Sequence, residues 1–138
     1  MSITDFSEKF DVNKSPVGWY VTGIVLRFEI AGEDLTNENR RCLAWENVHL
    51  IKAENQREAH QKAIRLGKLQ ETQDTNADGE SVSWVFEGLT FLLPIYEDLE
   101  DGAEIIWTEH KDKAVKTIQS KVKTKKELKV FQKANYRK

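Results

Sequence analysis

From Trp45 to Gly67 the chain reads W-E-N-V-H-L-I-K-A-E-N-Q-R-E-A-H-Q-K-A-I-R-L-G, a strand pattern that passes directly into a helix with its own start and stop signals. Such a junction restricts the fold to one in which a sheet receives a helix on one face. Asn55 and Glu58 have the N-x-x-E spacing of a capping box, in which the Asn side chain accepts from the Glu58 backbone N–H and the Glu returns a bond to the Asn55 N–H. Ala59, Ala63 and Leu66 recur at i, i+4 and i+7 on one helical face, and Gly67 is a natural stop. A stripe made mostly of alanine lets the helix sit close on a sheet but contributes little area. The strands must supply the bulk of the core.

Taken in order, residues 1–18 read as a loosely held arm with isolated Phe6 and Phe10, closed by the punctuation Ser15-Pro16-Val17-Gly18. Trp19–Ile30 predicts the first strand, with Tyr20, Ile24, Leu26, Phe28 and Ile30 on one face. A polar turn over residues 31–40 leads to a second, antiparallel strand over 41–53. Its alternation slips: Leu43 and Trp45 share one phase while Val48 and Leu50 follow the other, and a bulge at Glu46-Asn47 would restore one apolar face. Beyond the helix, 72–81 reads as a polar loop and 82–87 as a third strand. Glu87-Gly88 interrupts the pattern before the apolar run 89–96, where Pro94 argues for an edge or a strand end. An acidic turn, 97–102, precedes a last strand at 104–108. Residues 19–110 are thus expected to form one α+β domain, an antiparallel β-sheet of ββαββ order with the Asn55 helix on a sheet face.

Residues 111–138 change period. Val115, Ile118 and Val122 share a helical face, Thr124 and Glu127 repeat the capping-box spacing, and Leu128, Phe131 and Ala134 begin another apolar face. This stretch is also where the charge divides: it holds eleven Lys or Arg against Asp112 and Glu127, net +9, whereas residues 1–110 hold ten basic and twenty-one acidic residues, net −11. Opposite halves attract, so the basic helical extension is expected to pack on the body, or on a second copy, with Val115, Ile118, Val122, Leu128 and Phe131 turned inward.

Four separated blocks then carry a resemblance: W-Y-V at Trp19, W-E-N-V-H-L-I-K-A followed by Glu58, Ala59, Lys62 and Ala63, D-G-E-x-V-x-W-x-F-E-G-L from Asp78, and P-I-Y-E-D-L-E-D-G-A-E-I from Pro94. In that order, over about residues 19–107, they resemble the bacterial family known as domain of unknown function 4288. The resemblance implies no reaction and no functional residues.

No motif in the sequence specifies chemistry. Asp74 to Gly79 imitates the opening of a calcium loop, but the eighth position is Ser81 and the twelfth is Val85, where a bidentate Glu is needed. A flexible Asp-Gly turn is the better reading. His49, His60 and His110 show no ligand spacing, and His49 near Glu46 lacks a nucleophile or oxyanion site to serve as a general base. Cys42, the lone cysteine, cannot staple the fold, and with a charged N-terminal stretch it suits a cytoplasmic home. No apolar run approaches the ~20 residues of a membrane helix, so no membrane partner is expected. No cofactor, metal or catalytic residue is assigned, and the balance leans away from an enzyme.

Trp19, Trp45, Trp84 and Trp107 fall one on each expected strand, either as core or as an aromatic surface awaiting a ligand or partner. The binding site is placed at Trp45, Glu46 and Asn47 beside Glu87 and Gly88, where two strands break pattern with a carboxylate each. The resulting expectation is a non-catalytic protein-binding module, with a protein partner or homo-oligomer, in a setting such as bacterial defence or toxin neutralisation. The alternative is a nucleic-acid-associated protein acting through residues 111–138. Against it stand the absence of interleaved aromatics on the basic face, a single Arg, and an acidic body that repels phosphate.

Overall fold

Continuous burial at the start of Trp19–Ile30 marks this segment, β1, as an inner strand: Tyr20 to Ile24 are buried without interruption, and the later residues are less covered. The computed structural model describes residues 11–133, so Phe6, Phe10 and Ala134 lie outside it. After β1 come β2 (Ala44–Lys52), α1 (Gln56–Leu69), β3 (Thr72–Thr75) and β4 (Ser81–Pro94). They form a four-stranded antiparallel sheet in the order β2-β1-β4-β3, an α+β arrangement in which the chain order ββαββ holds. Two of the expected strands fall elsewhere. The segment read as a polar loop opens with β3, because its Thr-rich residues pair with Ser81 to Trp84 across a tight turn. Residues 104–108 form no strand, and the two apolar runs on either side of Glu87-Gly88 are one continuous strand that ends, as its proline requires, at Pro94.

The continuity of β4 has a specific cause. Its apolar residues Phe86, Leu89 and Leu92 are three apart, a spacing that would scatter them over both faces of a regular strand. The pairing with β1 slips between Gly23 and Ile24 and again between Val25 and Leu26, which leaves Thr90 and Glu87 as extra residues. Each bulge turns two successive residues outward, so Phe86, Leu89 and Leu92 all stand opposite Leu26, Ile24 and Thr22 on the helix side. The irregularity read at Glu87-Gly88 is therefore real. The bulge expected at Glu46-Asn47 is not: β2 pairs with β1 in unbroken register from Ala44 to Lys52.

Helix α1 starts as its sequence dictates. The Asn55 side chain accepts from the Glu58 N–H at 2.9 Å, although the Glu58 carboxylate turns to Lys62, 3.4 Å away, instead of completing the box. Ala59, Ala63 and Gly67 are the buried stripe, set over β4 and β1 and least over β2. At Gly67 the approach is closest: a Cβ there would sit 2.3 Å from the Phe86 ring. Tyr20, Ile51, Ala53, Ala59 and Ala63 form the core cluster, with Leu66, Leu89 and Leu92 packed against it.

The end of the N-terminal arm belongs to this core. Ser15 is 4% exposed; its hydroxyl donates to the Ile95 carbonyl and accepts from the Val17 and Trp19 N–H groups, while its own N–H donates to the Tyr20 hydroxyl at 3.0 Å. Tyr96 donates its hydroxyl to the Val12 carbonyl. Residues 11–18, the end of the expected arm, are thus tied to the body by these bonds.

The chain divides into two compact units, residues 1–107 and 108–138. In the second, α2 (Val115–Gln119) is followed by single 3-10 turns at Lys125–Glu127 and Lys129–Phe131. The Thr124–Glu127 capping box forms in full, but it caps a 3-10 turn and not an α-helix. Val115, Ile118, Val122, Leu128 and Phe131, expected to turn inward, are exposed, and among the described residues of this unit they build no core.

Candidate functional site

Strand pairing sorts the residues expected at the site onto the two faces of the sheet. Trp45 stands opposite Leu26 and Asn47 opposite Ile24, both on the helix side. Glu46 stands opposite Val25, which in turn faces Gly88 across β4, so Glu46 and Gly88 flank Val25 on the outer side. Glu87, the extra residue of the bulge, joins them there: its carboxylate takes the Arg27 Nε–H at 2.8 Å. That hydrogen bond, with the nearby Glu29, holds the Arg27 guanidinium pKa above its ordinary value. Gly88 has φ +149° and open space where a side chain would lie, a backbone state suited to glycine. The set is thus split: Glu46, Glu87 and Gly88 share one face, Trp45 and Asn47 the other.

On the helix side the aromatic residues close on each other. Trp45 and Trp84 have ring centroids 4.7 Å apart and Phe28 lies 5.3 Å from Trp84, a cluster that fills the end of the sheet beyond α1. The four tryptophans do not share a face, however. Trp19 is on the outer side beneath the Lys52 ammonium, and Trp107 has left the sheet to lie against Tyr96, 5.6 Å between centroids. His49 also belongs to the helix side, its Nε2 3.1 Å from the Gln70 side-chain nitrogen. Because 46 and 49 differ by an odd number, Glu46 and His49 point to opposite faces and cannot act together.

The outer face carries apolar residues that are exposed toward its borders and buried at Val21 between them. Leu50, Val21 and Leu93 stand in one row across β2, β1 and β4, with Val48, Gly23 and Phe91 in the next. The Phe91 ring and Thr90 hydroxyl cover Gly23 so closely that a Cβ there would meet them at 2.7 and 2.3 Å. Val48 is 60% and Leu50 48% exposed. At the β4 end the surface runs into a depression of about 300 Å³ lined by Asn13, Leu93, Pro94, Tyr96, Ile106 and Trp107. The signal was present as the phase slip in β2. Val48 and Leu50 oppose the phase of Trp45 because the strand is apolar on both faces, not because it bulges.

Elsewhere the polar groups serve the fold. Asn76 Oδ1 accepts from the Asp78 and Glu80 N–H groups, which makes the calcium-like segment a hairpin turn between β3 and β4. Among the described residues no group of three or more His, Cys, Asp or Glu comes together as a metal site, and no helix is long and apolar enough to cross a membrane. Cys42 is free and exposed beside Arg27, Glu38, Arg40 and Glu87.

Fold and surface together define an α+β protein whose helix covers one side of an antiparallel sheet while the other side presents apolar residues. The family model described as Domain of unknown function (DUF4288) matches residues 19–107, and the chain belongs to that family. No curated protein and no solved structure matches it.

Proposed function

We propose that this chain is a non-catalytic protein-interaction module whose contact surface is the outer sheet face at its two exposed apolar borders, Val48 and Leu50 on β2 and Leu93 with the Trp107 depression beyond β4, on either side of the buried Val21. The observation that carries the reading is the exposure of Val48 and Leu50 on the edge strand β2 and of Leu93 on β4, all on one face of the sheet. Leaving such area in water forgoes about 25 cal/mol for every Å² that burial would remove, so a protein partner that covers it is bound by the same term that builds a core. The charged rim supplies orientation: Glu46 and the Arg27–Glu87 pair border the apolar rows on one side and Lys52 on the other. A lone, free cysteine suits a reducing, cytoplasmic setting for such a module.

The test is a photo-crosslinking residue placed at Leu50, with a control at Gly79 in the β3–β4 turn, introduced into the chain in its native cells. Discrete protein adducts from the Leu50 position, absent from the control, are expected. Equal labelling from both positions, or none from either, rules out the outer face as the contact surface.

A further inference from the structure

We infer that β2 pairs with β2 of a second copy of this chain, antiparallel about a two-fold axis at His49, to continue the sheet from one molecule into the next. This deepens the interaction reading by naming a partner, and it rests on that reading in treating Val48 and Leu50 as contact residues.

The backbone supplies the first part of the argument. β2 is an edge strand, nine residues long, with no bulge and no proline. The Phe28 N–H donates to the Leu43 carbonyl and the Ala53 N–H to the Gly18 carbonyl, which sets the phase of the whole ladder. Odd-numbered residues of β2 direct their backbone groups to β1, and Ala44, Glu46, Val48, Leu50 and Lys52 direct theirs to the free edge. Among the described residues nothing bonds to the backbone of Glu46, Val48 or Leu50 on that side. The Lys52 carbonyl accepts from Lys62 Nζ at 2.7 Å, which marks the end of the free stretch and still leaves it a second lone pair. Natural sheets protect long edges with bulges, prolines or charges; β2 has no bulge or proline, and its edge charges, Glu46 and Lys52, are of opposite sign and can pair with each other across a two-fold axis.

Side chains choose the partner and the register. The residues with outward backbone groups are also those whose side chains lie on the outer face, and they read Ala44, Glu46, Val48, Leu50, Lys52. With the axis at His49, Val48 stands opposite Leu50 of the second copy and Glu46 opposite Lys52 of the second copy, each pair occurring twice. Apolar meets apolar and acid meets base. Moving the axis to Val48 places Glu46 against Leu50, and moving it to Leu50 places Glu46 against Glu54. Only the His49 axis satisfies both the hydrogen-bonding phase and the charges. Helix α1 leaves room for this, since it lies over β4 and β1 and least over β2.

The experiment measures the mass of the full chain by sedimentation velocity over a concentration series, for the wild type, Glu46→Lys, Lys52→Glu and the double reversal. The wild type is expected to show a reversible monomer–dimer equilibrium. Each single reversal sets like charges opposite each other twice in the dimer and should weaken association by about tenfold. The double reversal should restore it. Both residues are on the exposed edge, so circular dichroism should report an unchanged fold for all four proteins. Independently, His49→Cys in a Cys42→Ser background should form a disulfide-linked dimer under mild oxidation, because the axis brings position 49 against itself at about 4.5 Å between Cα atoms. A wild type that stays monomeric overturns the inference, as does a dimer indifferent to the single reversals. If the chain is monomeric while the Leu50 crosslinker still captures a different protein, self-pairing fails and the interaction reading stands. If neither association nor crosslinking occurs, both fail.

Discussion

The two faces of this sheet are built from the same kinds of residue and are covered to different extents. On the helix side Tyr20, Ile24 and Leu26 are almost wholly buried against an alanine-lined helix, and two bulges in β4 bring Phe86, Leu89 and Leu92 to meet them. On the outer side Val48, Leu50 and Leu93 have comparable apolar area and stand in water. Apolar character therefore does not decide what is core in a two-sided strand. The position in the sheet and the helix do: Val21 of the inner strand β1 is buried even on the outer face, while on β2 only the residues under the helix are covered.

Equal truncations on the two faces give the largest contrast. Ile24→Ala should destabilise by about 2–5 kcal/mol, since it opens a cavity at a fully buried position, whereas Leu50→Ala should cost less than about 1 kcal/mol. Urea unfolding measures both, and similar losses would erase the distinction between core and contact surface. The next effect is overpacking. Gly67→Ala places a methyl into the Phe86 ring and should cost about 1–3 kcal/mol, with Phe86→Leu in the same background recovering part of it. If Gly67→Ala is neutral, the helix does not approach β4 as closely as the alanine stripe allows. Asn55→Ala should cost about 1 kcal/mol, because the Glu58 N–H loses its acceptor at the start of α1. Its thermal midpoint should fall accordingly while outer-face crosslinking is unchanged.

The smallest effect is one of pH. The Gln56 side chain donates to Asp11 at 3.0 Å, and this bond, with the Asn13 N–H, lowers the Asp11 pKa below its ordinary value. A lowered folded pKa means that the stabilisation is complete above the ordinary aspartate range and is lost as pH falls through the folded value. The tie between residues 11–18 and the first turn of α1 should therefore loosen below the ordinary aspartate range. An NMR titration of the Gln56 side-chain amide should show its midpoint below pH 3.8, and a midpoint at or above that value would remove the tie.

Much of this was legible in the chain. β1 was set by its own alternation, α1 by Asn55, the alanine stripe and Gly67, the end of β4 by Pro94, and the family by four ordered blocks. These are local signals, and local physics is what a sequence records directly. The candidate site was half legible. Glu87 and Gly88 were found because a bulge disrupts the pattern of its own strand, but Glu46 and Asn47 were misread because an apolar second face disrupts the pattern in the same way. Only pairing distinguishes the two, since the bulge shifts the register with a neighbour and the two-faced strand does not. Ser15 was missed because its acceptor, Ile95, is eighty residues distant and no spacing along the chain announces it. The sequence by itself determined which segments extend, where the helix begins and how near it can come. The tertiary structure decided which of two apolar faces that helix would cover, and which outer residues, such as Val48 and Leu50, would stay exposed while Val21 between the strands is buried, because burial depends on what lies opposite in space.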